Sequence, residues 1–252
     1  MEFFDSHSHY NDEKFDEDRY EIMHKIQEEG VTKCIIAGYN VESSKLAIEI
    51  AEQYGNIYAI VGISPNDIGE NIEDIRKLAV NKKVVAIGEI GLDYYWNKEN
   101  KDEQKQTFIK QIDIANDFNL PIVIHSRDAI ADTLEILKTH KCKKNGVFHC
   151  CMLNPELVKE AVKLGYYISF AGPITFKNSK NAGTVIKLVP DERILIETDC
   201  PYLAPEPKRG TRNDSRNLKY IAQKIADVKE KNIEEIAKIT YENAEKIFEL
   251  KK

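Results

Sequence analysis

The chain has 252 residues, of which 42% are hydrophobic and 31% charged, and its formal net charge is -6. That balance excludes a disordered chain, and no apolar run reaches the ~18 residues of a membrane helix. The acidic excess offers no general attraction to polyanions, so any nucleic-acid contact must come from a local site. The five cysteines, Cys34, Cys142, Cys150, Cys151 and Cys200, are odd in number and lack the C-x2-C spacing of a zinc ribbon. We read them as reduced and mostly packed in the interior. The opening MEFFDSHSHY has no basic patch followed by an apolar stretch, so the expectation is no signal peptide, no membrane association and a cytoplasmic location.

Along the chain, strand-length apolar stretches alternate with longer amphipathic ones. A strand over residues 2–6 is followed by a helix over about 17–29. The same pair recurs as strand 32–37 with helix 42–54, strand 57–62 with helix 71–80, and strand 84–89 with helix 100–118. It continues as strand 121–125 with helix 127–139, strand 145–149 with helix 154–163, strand 166–170 with helix 178–188, and strand 193–197 with helix 214–228. A last helix over about 233–249 places Ile233, Ile236, Ile239, Ala244, Ile247 and Phe248 near helical spacing, and reads as a packing element that closes the structure. Near-continuous apolar runs such as CIIA and ILIE suit strands covered on both faces. Eight strand–helix units predict a (β/α)8 TIM barrel with an extra C-terminal helix, as one domain over residues 1–252. An open doubly wound sheet is the runner-up; it lacks support because DSHSHY stands where a Gly-rich phosphate turn would follow the first strand.

In such barrels chemistry sits at the C-terminal strand ends. The first strand ends in Asp5, Ser6, His7, Ser8 and His9, and the fourth in Glu89 with Gly91 and Asp93 beyond it. The fifth ends in His125, the sixth in His149, and the eighth in Glu197, Thr198 and Asp199. Four of the six histidines thus fall at strand ends, whereas His24 and His140 belong to helix surfaces. His7 and His9 are two apart, so on a strand they point the same way and can grip one ion. Converging imidazoles and carboxylates predict a divalent-metal site of His7, His9, Glu89, His125, His149 and Asp199. Such donors suit zinc, manganese, iron or nickel, and six ligands suit two ions sharing one carboxylate, with Glu89 the candidate.

These segments resemble the TatD family of metal-dependent deoxyribonucleases, within the amidohydrolase-like barrels. The likeness is carried by DSHSHY at 5–10, GEIGLDYY at 88–95, PIVIHSRDA at 121–129, FHCC at 148–151, YYISFAGPITF at 166–176, ILIETDCPYLAP at 194–205, RGTRND at 209–214 and YENAEKIF at 241–248. The resemblance implies that His7, His9 and Asp199 hold one metal, that His125 and His149 hold the second, and that Glu89 bridges them. The ions would be Zn, Mn or Mg. It implies a DNA substrate, single-stranded for preference, cleaved at phosphodiester bonds from a free 3′ end by a monomer or weak oligomer. Two pattern positions differ: Ser64 stands where the family has His in Gly-x-His-Pro, with Asn66 nearby, and Asp214-Ser215 replaces a Glu-Pro pair. Both departures read as changes in the substrate-facing set.

The mechanism this suggests is attack by a metal-activated water, with Asp199 orienting the water and taking its proton, and Glu89 and Asp199 as the catalytic residues. Arg127, Arg209 and Arg212 are candidate phosphate contacts, while Lys208 reads as a solvated surface charge. Tyr94, Tyr95 and Trp96 read as a hydrophobic lid, with base stacking as their other use. Asp93 and Glu197 read as braces for the ligands, and the cysteines beside His149 as packing. The competing functions are a D-aminoacyl-tRNA deacylase or other ester or C–N hydrolase on the same site, a small-ester phosphatase, and a non-enzymatic scaffold.

Overall fold

In a computed structural model, which describes residues 1–151 and 153–250, eight parallel strands pair strictly in chain order. They are β1 (Phe3–Ser8), β2 (Val31–Ala37), β3 (Ile57–Val61), β4 (Val84–Asp93), β5 (Ile122–Arg127), β6 (Gly146–Phe148), β7 (Tyr167–Phe170) and β8 (Ile194–Ile196). Each is followed by a helix: α1 (Arg19–Glu28), α2 (Val41–Glu52), α3 (Ile72–Leu78), α4 (Lys101–Phe118), α5 (Ile130–Thr139), α6 (Pro155–Lys163), α7 (Ala182–Leu188) and α8 (Leu218–Lys229). The ninth helix, α9, is Ile233–Ile247. The architecture is the (β/α)8 barrel anticipated above. Among the described residues no helix is long and apolar enough to cross a membrane.

The barrel interior takes a side chain from every strand: Phe4, Ile35, Ile60, Ala86, Val123, Val147, Tyr167 and Leu195 form one apolar cluster. Alternate residues face outward and pack under the helices, as a sheet covered on both faces requires. Ala244, Ile247 and Phe248 join the interior cluster, with Phe248 against Phe4 at 6.4 Å between ring centroids. So α9 does more than flank the barrel: it plugs the end opposite the polar strand termini. Asn243 fixes it there by donating to the carbonyls of Asp191 and Ile194 (2.7 and 2.9 Å).

The seam between β1 and β8 closes just where the polar residues begin. Asp199 N donates to His7 O at 3.0 Å and His9 N to Cys200 O at 2.7 Å. Below them Ser6 Oγ donates to Ile196 O at 2.9 Å.

Among the strands the longest departure from the anticipated boundaries is β4, which continues four residues past 89 to Asp93. Its pairing with β5 shifts register between Ile87 and Ile90 and then resumes with Gly91 opposite His125 and Asp93 opposite Arg127. The irregularity turns the Glu89 amide onto Gly38 O at 2.9 Å and re-aims the side chain. Gly91 makes the continuation possible. Its φ is 139°, and a Cβ there would lie 2.0 Å from the His125 carbonyl oxygen. Gly91→Ala therefore combines a left-handed backbone with a main-chain clash, and is expected to cost at least about 2 kcal/mol. An unchanged urea midpoint in that variant would contradict this account.

Candidate metal centre

All six expected ligands converge on one point of the barrel mouth. Glu89 stands at the centre. Its Oε2 faces His7 Nε2 at 3.5 Å and His9 Nε2 at 3.7 Å. Its Oε1 faces His125 Nδ1 at 2.8 Å and His149 Nε2 at 3.1 Å. Asp199 Oδ1 lies 3.2 Å from His9 Nε2 and 3.8 Å from His7 Nε2. Three groups each bring their donor atoms within 4.8 Å of one another: His7, His9 and Glu89; His7, His149 and Asp199; Glu89, His125 and His149.

The far ring nitrogens set which nitrogen faces the cluster. His9 Nδ1 must donate to Ala37 O at 3.0 Å, because a carbonyl only accepts, so its Nε2 lone pair points inward. His125 Nε2 donates to Asp93 Oδ2 at 2.9 Å, which leaves Nδ1 for the cluster. His149 Nδ1 lies 3.3 Å from Glu197 Oε1, short of hydrogen-bonding geometry, and again presents Nε2 inward. His7 stacks on His149 with centroids 4.1 Å apart, and its buried Nδ1 has no hydrogen-bond partner among the described residues.

This donor set fits divalent metal. His7 Nε2 and His9 Nε2 approach to 3.2 Å, an arrangement two lone pairs tolerate only with a proton or a cation between them. Neutral nitrogens and carboxylate oxygens without a thiolate suit zinc or manganese, as in hydrolytic centres.

The local backbone serves the convergence. Asp128, Cys150 and Asp199, which turn the chain just past β5, β6 and β8, have positive φ of 54°, 38° and 54°. Left-handed residues outside glycine are uncommon and concentrate at functional turns. Two buried glutamines of α4, seven residues apart, clamp neighbouring strand ends. Gln104 accepts from Asp93 N at 2.8 Å and donates to Asp93 O at 3.0 Å. Gln111 does the same for Ile63, at 2.7 and 2.9 Å.

Asp5, beneath His7 on the same strand, was placed at the strand end by the sequence but given no role there. It is fully buried and accepts from Thr198 N (3.0 Å), Thr198 Oγ1 (2.5 Å) and Ser215 Oγ (2.6 Å). Burial pushes its carboxyl up to about 7 against those donors. The alternation Asp5, His7, His9 was the available signal, since all three face the same way on a strand.

The remaining candidates are spread around the mouth. Arg127 follows His125 on β5 with its guanidinium 3.8 Å above the Tyr95 ring. Arg209 is exposed on the loop after β8, 4.3 Å above Phe176. Arg212 holds Asp18 through both terminal guanidinium nitrogens, donates to Lys14 O at 2.7 Å and covers Phe15. Of the three aromatics, only Tyr94 is an inward lid, with its hydroxyl on Asp132 at 2.6 Å; Tyr95 and Trp96 are exposed. His24 and His140 are exposed, as anticipated.

Charge at the site is shared unevenly. Burial pulls His149 down, but Glu89 and Glu197 outweigh it and hold the ring well above the ordinary imidazole range. Against the same burial, His9 is raised by Asp199, and His125 by Asp93 and Glu89. Burial lowers His7, and the His149 charge adds to it. Burial would raise Glu89 and Asp199, yet the imidazoles hold both carboxyls below their usual values. The linkage signs follow. A raised imidazole stabilises the fold below its unfolded value of 6.5, and that contribution is lost as pH rises through the raised value. The depressed carboxylates act oppositely, being lost only in acid. Chelator-treated protein should therefore lose stability between about pH 6 and about pH 8.5, while added metal should stabilise more at the higher pH because it no longer competes with protons. Urea midpoints with and without metal at the two pH values check this; metal stabilisation that weakens with rising pH would refute it.

Comparison with known proteins agrees with the geometry. The family model described as TatD related DNase matches residues 4–249. The uncharacterized metal-dependent hydrolase YabD of Bacillus subtilis (strain 168) is 44% identical, with 98% of this chain and 99% of the relative covered. The uncharacterized metal-dependent hydrolase YcfH of Escherichia coli (strain K12) is 34% identical, over 99% and 97% of the two chains. Among solved structures, YJJV, a TatD homolog from Escherichia coli K12, superposes with a TM-score of 0.93 at 26% identity, covering 99% of this chain and 98% of that one.

Proposed function

The chain belongs to the TatD related DNase family, and from that premise we propose that this metal-dependent hydrolase is a 3′ to 5′ exodeoxyribonuclease acting on single-stranded DNA. The observation that carries the reading is the division of Glu89: one oxygen faces His7 and His9, the other His125 and His149. A carboxylate so shared suits two cations held side by side, with His7, His9 and Asp199 completing one position and His125 and His149 the other. Divalent ions bound there would lower the pKa of a water and neutralise charge growing on a phosphodiester.

The chain's own residues supply the rest. Asp199 turns Oδ1 to His9 and His7, leaving Oδ2 to orient the attacking water and take its proton. Its depressed pKa keeps it an acceptor near neutral pH. Asp93 fixes the His125 ring through Nε2, and Arg127 and Arg209 are the proposed phosphate contacts. Arg212, already bidentate on Asp18, holds the loop that carries Arg209. Ser64 offers no acid for the leaving oxygen, since its hydroxyl donates to Asp67 Oδ2 at 2.6 Å. That alkoxide takes its proton from solvent.

The test uses protein stripped and reloaded with Mg2+, Mn2+ or Zn2+ and a 5′-labelled single-stranded DNA. A metal-dependent ladder shortening from the 3′ end is expected, absent in Glu89→Ala. Asp199→Asn should lose on the order of 10²–10⁴-fold in rate. No cleavage, with metal bound by elemental analysis, would move the assignment to an ester or C–N bond such as that of a D-aminoacyl-tRNA. Arg212→Ala should destabilise the fold by at most about 1 kcal/mol, read as a lower urea midpoint, and leave the salt dependence of oligonucleotide binding as it was; a flatter salt dependence would make Arg212 a phosphate contact instead.

A further inference from the structure

The loop after β4 holds two aromatic faces outward although it had an inward use for one. Tyr94 fills the inward position, while Tyr95 is 51% and Trp96 68% exposed. Their rings meet edge to face, 4.9 Å apart at 86°. The Arg127 guanidinium lies 3.8 Å from the Tyr95 ring centroid and 5.5 Å from that of Trp96. Among the described residues Arg127 makes no ion pair, unlike Arg212 and Arg216, which are matched to carboxylates. Its charge is therefore free of a carboxylate and already lies over aromatic rings, which leaves the guanidinium fork available to phosphate.

The group is fastened to the ligand cluster by one carboxylate. Asp93 Oδ1 accepts from Tyr95 N (2.9 Å) and Trp96 N (3.1 Å), while Oδ2 accepts from His125 Nε2 (2.9 Å). Tyr94 N donates to Arg127 O at 2.9 Å, which ties the loop to the strand carrying both His125 and Arg127. The other side of the mouth is unsuited to phosphate. There Tyr39, which packs on the His9 ring at 5.9 Å, lines a depression together with Asp12, Glu13, Asp16 and Glu42. A polyanion engaged at the cluster is thus repelled from the β1–β2 side and drawn to the β4–β5 side.

We propose that Trp96, Tyr95 and Arg127 form a platform on which an unpaired base stacks while Arg127 forks the adjoining phosphate, so that the enzyme selects strands with free, unstacked bases. The proposal rests on the nucleic-acid reading of the metal site and extends it to what is recognised beside the scissile bond. A base offers its face only when it is unpaired, so closed duplex is excluded. Every base has such a face, so selection by sequence is weak.

Trp96 is the chain's single tryptophan, so its fluorescence reports on this loop alone. Metal-loaded protein would be titrated with a short phosphorothioate thymidine oligonucleotide and with an abasic strand of the same length and charge. Quenching by the base-bearing strand and none by the abasic one is expected. In turnover with the cleavable strands, kcat/KM should favour the base-bearing one by on the order of tenfold. That ratio should collapse toward one in Trp96→Ala and persist in Trp96→Phe. Equal response to both strands, or a ratio untouched by Trp96→Ala, would overturn the platform. Base-dependent quenching without cleavage of any strand would sustain the platform and remove the nuclease reading; cleavage indifferent to bases would do the reverse.

Discussion

A carboxylate buried among four imidazoles costs several kcal/mol in lost solvation unless its charge is shared, and Glu89 stands in that position. Much of the mouth is arranged around it. The register shift in β4 aims it inward, and Gly91 lets the strand run on against the His125 carbonyl. Three of the imidazoles that face it meet a neighbour at the other nitrogen: Ala37 O for His9, Asp93 for His125, the vicinity of Glu197 for His149; His7 is held by stacking on His149 instead. Without metal the carboxylate is matched by protons on those rings. With metal the same donors become ligands and the protons leave. The polar cluster is thus a competition between two kinds of cation for one set of lone pairs.

Much of this was legible in sequence because a (β/α)8 barrel converts order along the chain into convergence in space. Eight apolar runs, five of them ending in polar residues, suffice to bring His7, Glu89, His125, His149 and Asp199 together without knowledge of any single contact. The strands are buried on both faces, so continuous apolar runs marked them, and their ends moved by only a few residues. The exception is β4. Gly91 and Asp93 fell beyond the anticipated end at Glu89 because a strand is not expected to carry glycine and acid; here the glycine allows close approach to β5 and the acids serve the site. Gln104 and Gln111 were also silent. On an amphipathic helix they look like ordinary polar positions, and only the structure places them inward against the strand ends.

Asp93 links the two halves of the mouth. One oxygen orients a ligand ring and the other shapes the turn that carries Tyr95 and Trp96. A side chain that sits on both networks makes the position of the exposed aromatics a function of the ligand geometry. This is rigid support of the kind that positions a binding group within a fraction of an ångström, and it accounts for aromatic surface held in water by a loop that is hydrogen-bonded rather than free.

The departures from the family pattern resolve differently once the side chains are followed inward. Asp214 and Ser215 read from sequence as changes toward substrate, yet Asp214 pairs with Arg216 through both oxygens and caps the short turn that follows it. Ser215 is fully buried, donating to Asp5 Oδ2 at 2.6 Å and meeting Tyr10 Oη at 2.8 Å. Asp5 in turn holds Thr198, next to Asp199, from the strand that carries His7. A hydroxyl at position 215 therefore satisfies a buried carboxyl that would otherwise lack one of its donors, and an unsatisfied buried acceptor costs about 1–3 kcal/mol. The substitution belongs to the seam that sets His7 against Asp199, where Ser215 reaches Thr198 only through Asp5. Ser64 is tied to Asp67 in the same manner. Both changes act by completing internal hydrogen bonds, which leaves the half-buried Arg127 and the exposed Tyr95 and Trp96 as the residues of this chain most open to a ligand on the β4–β5 side of the mouth.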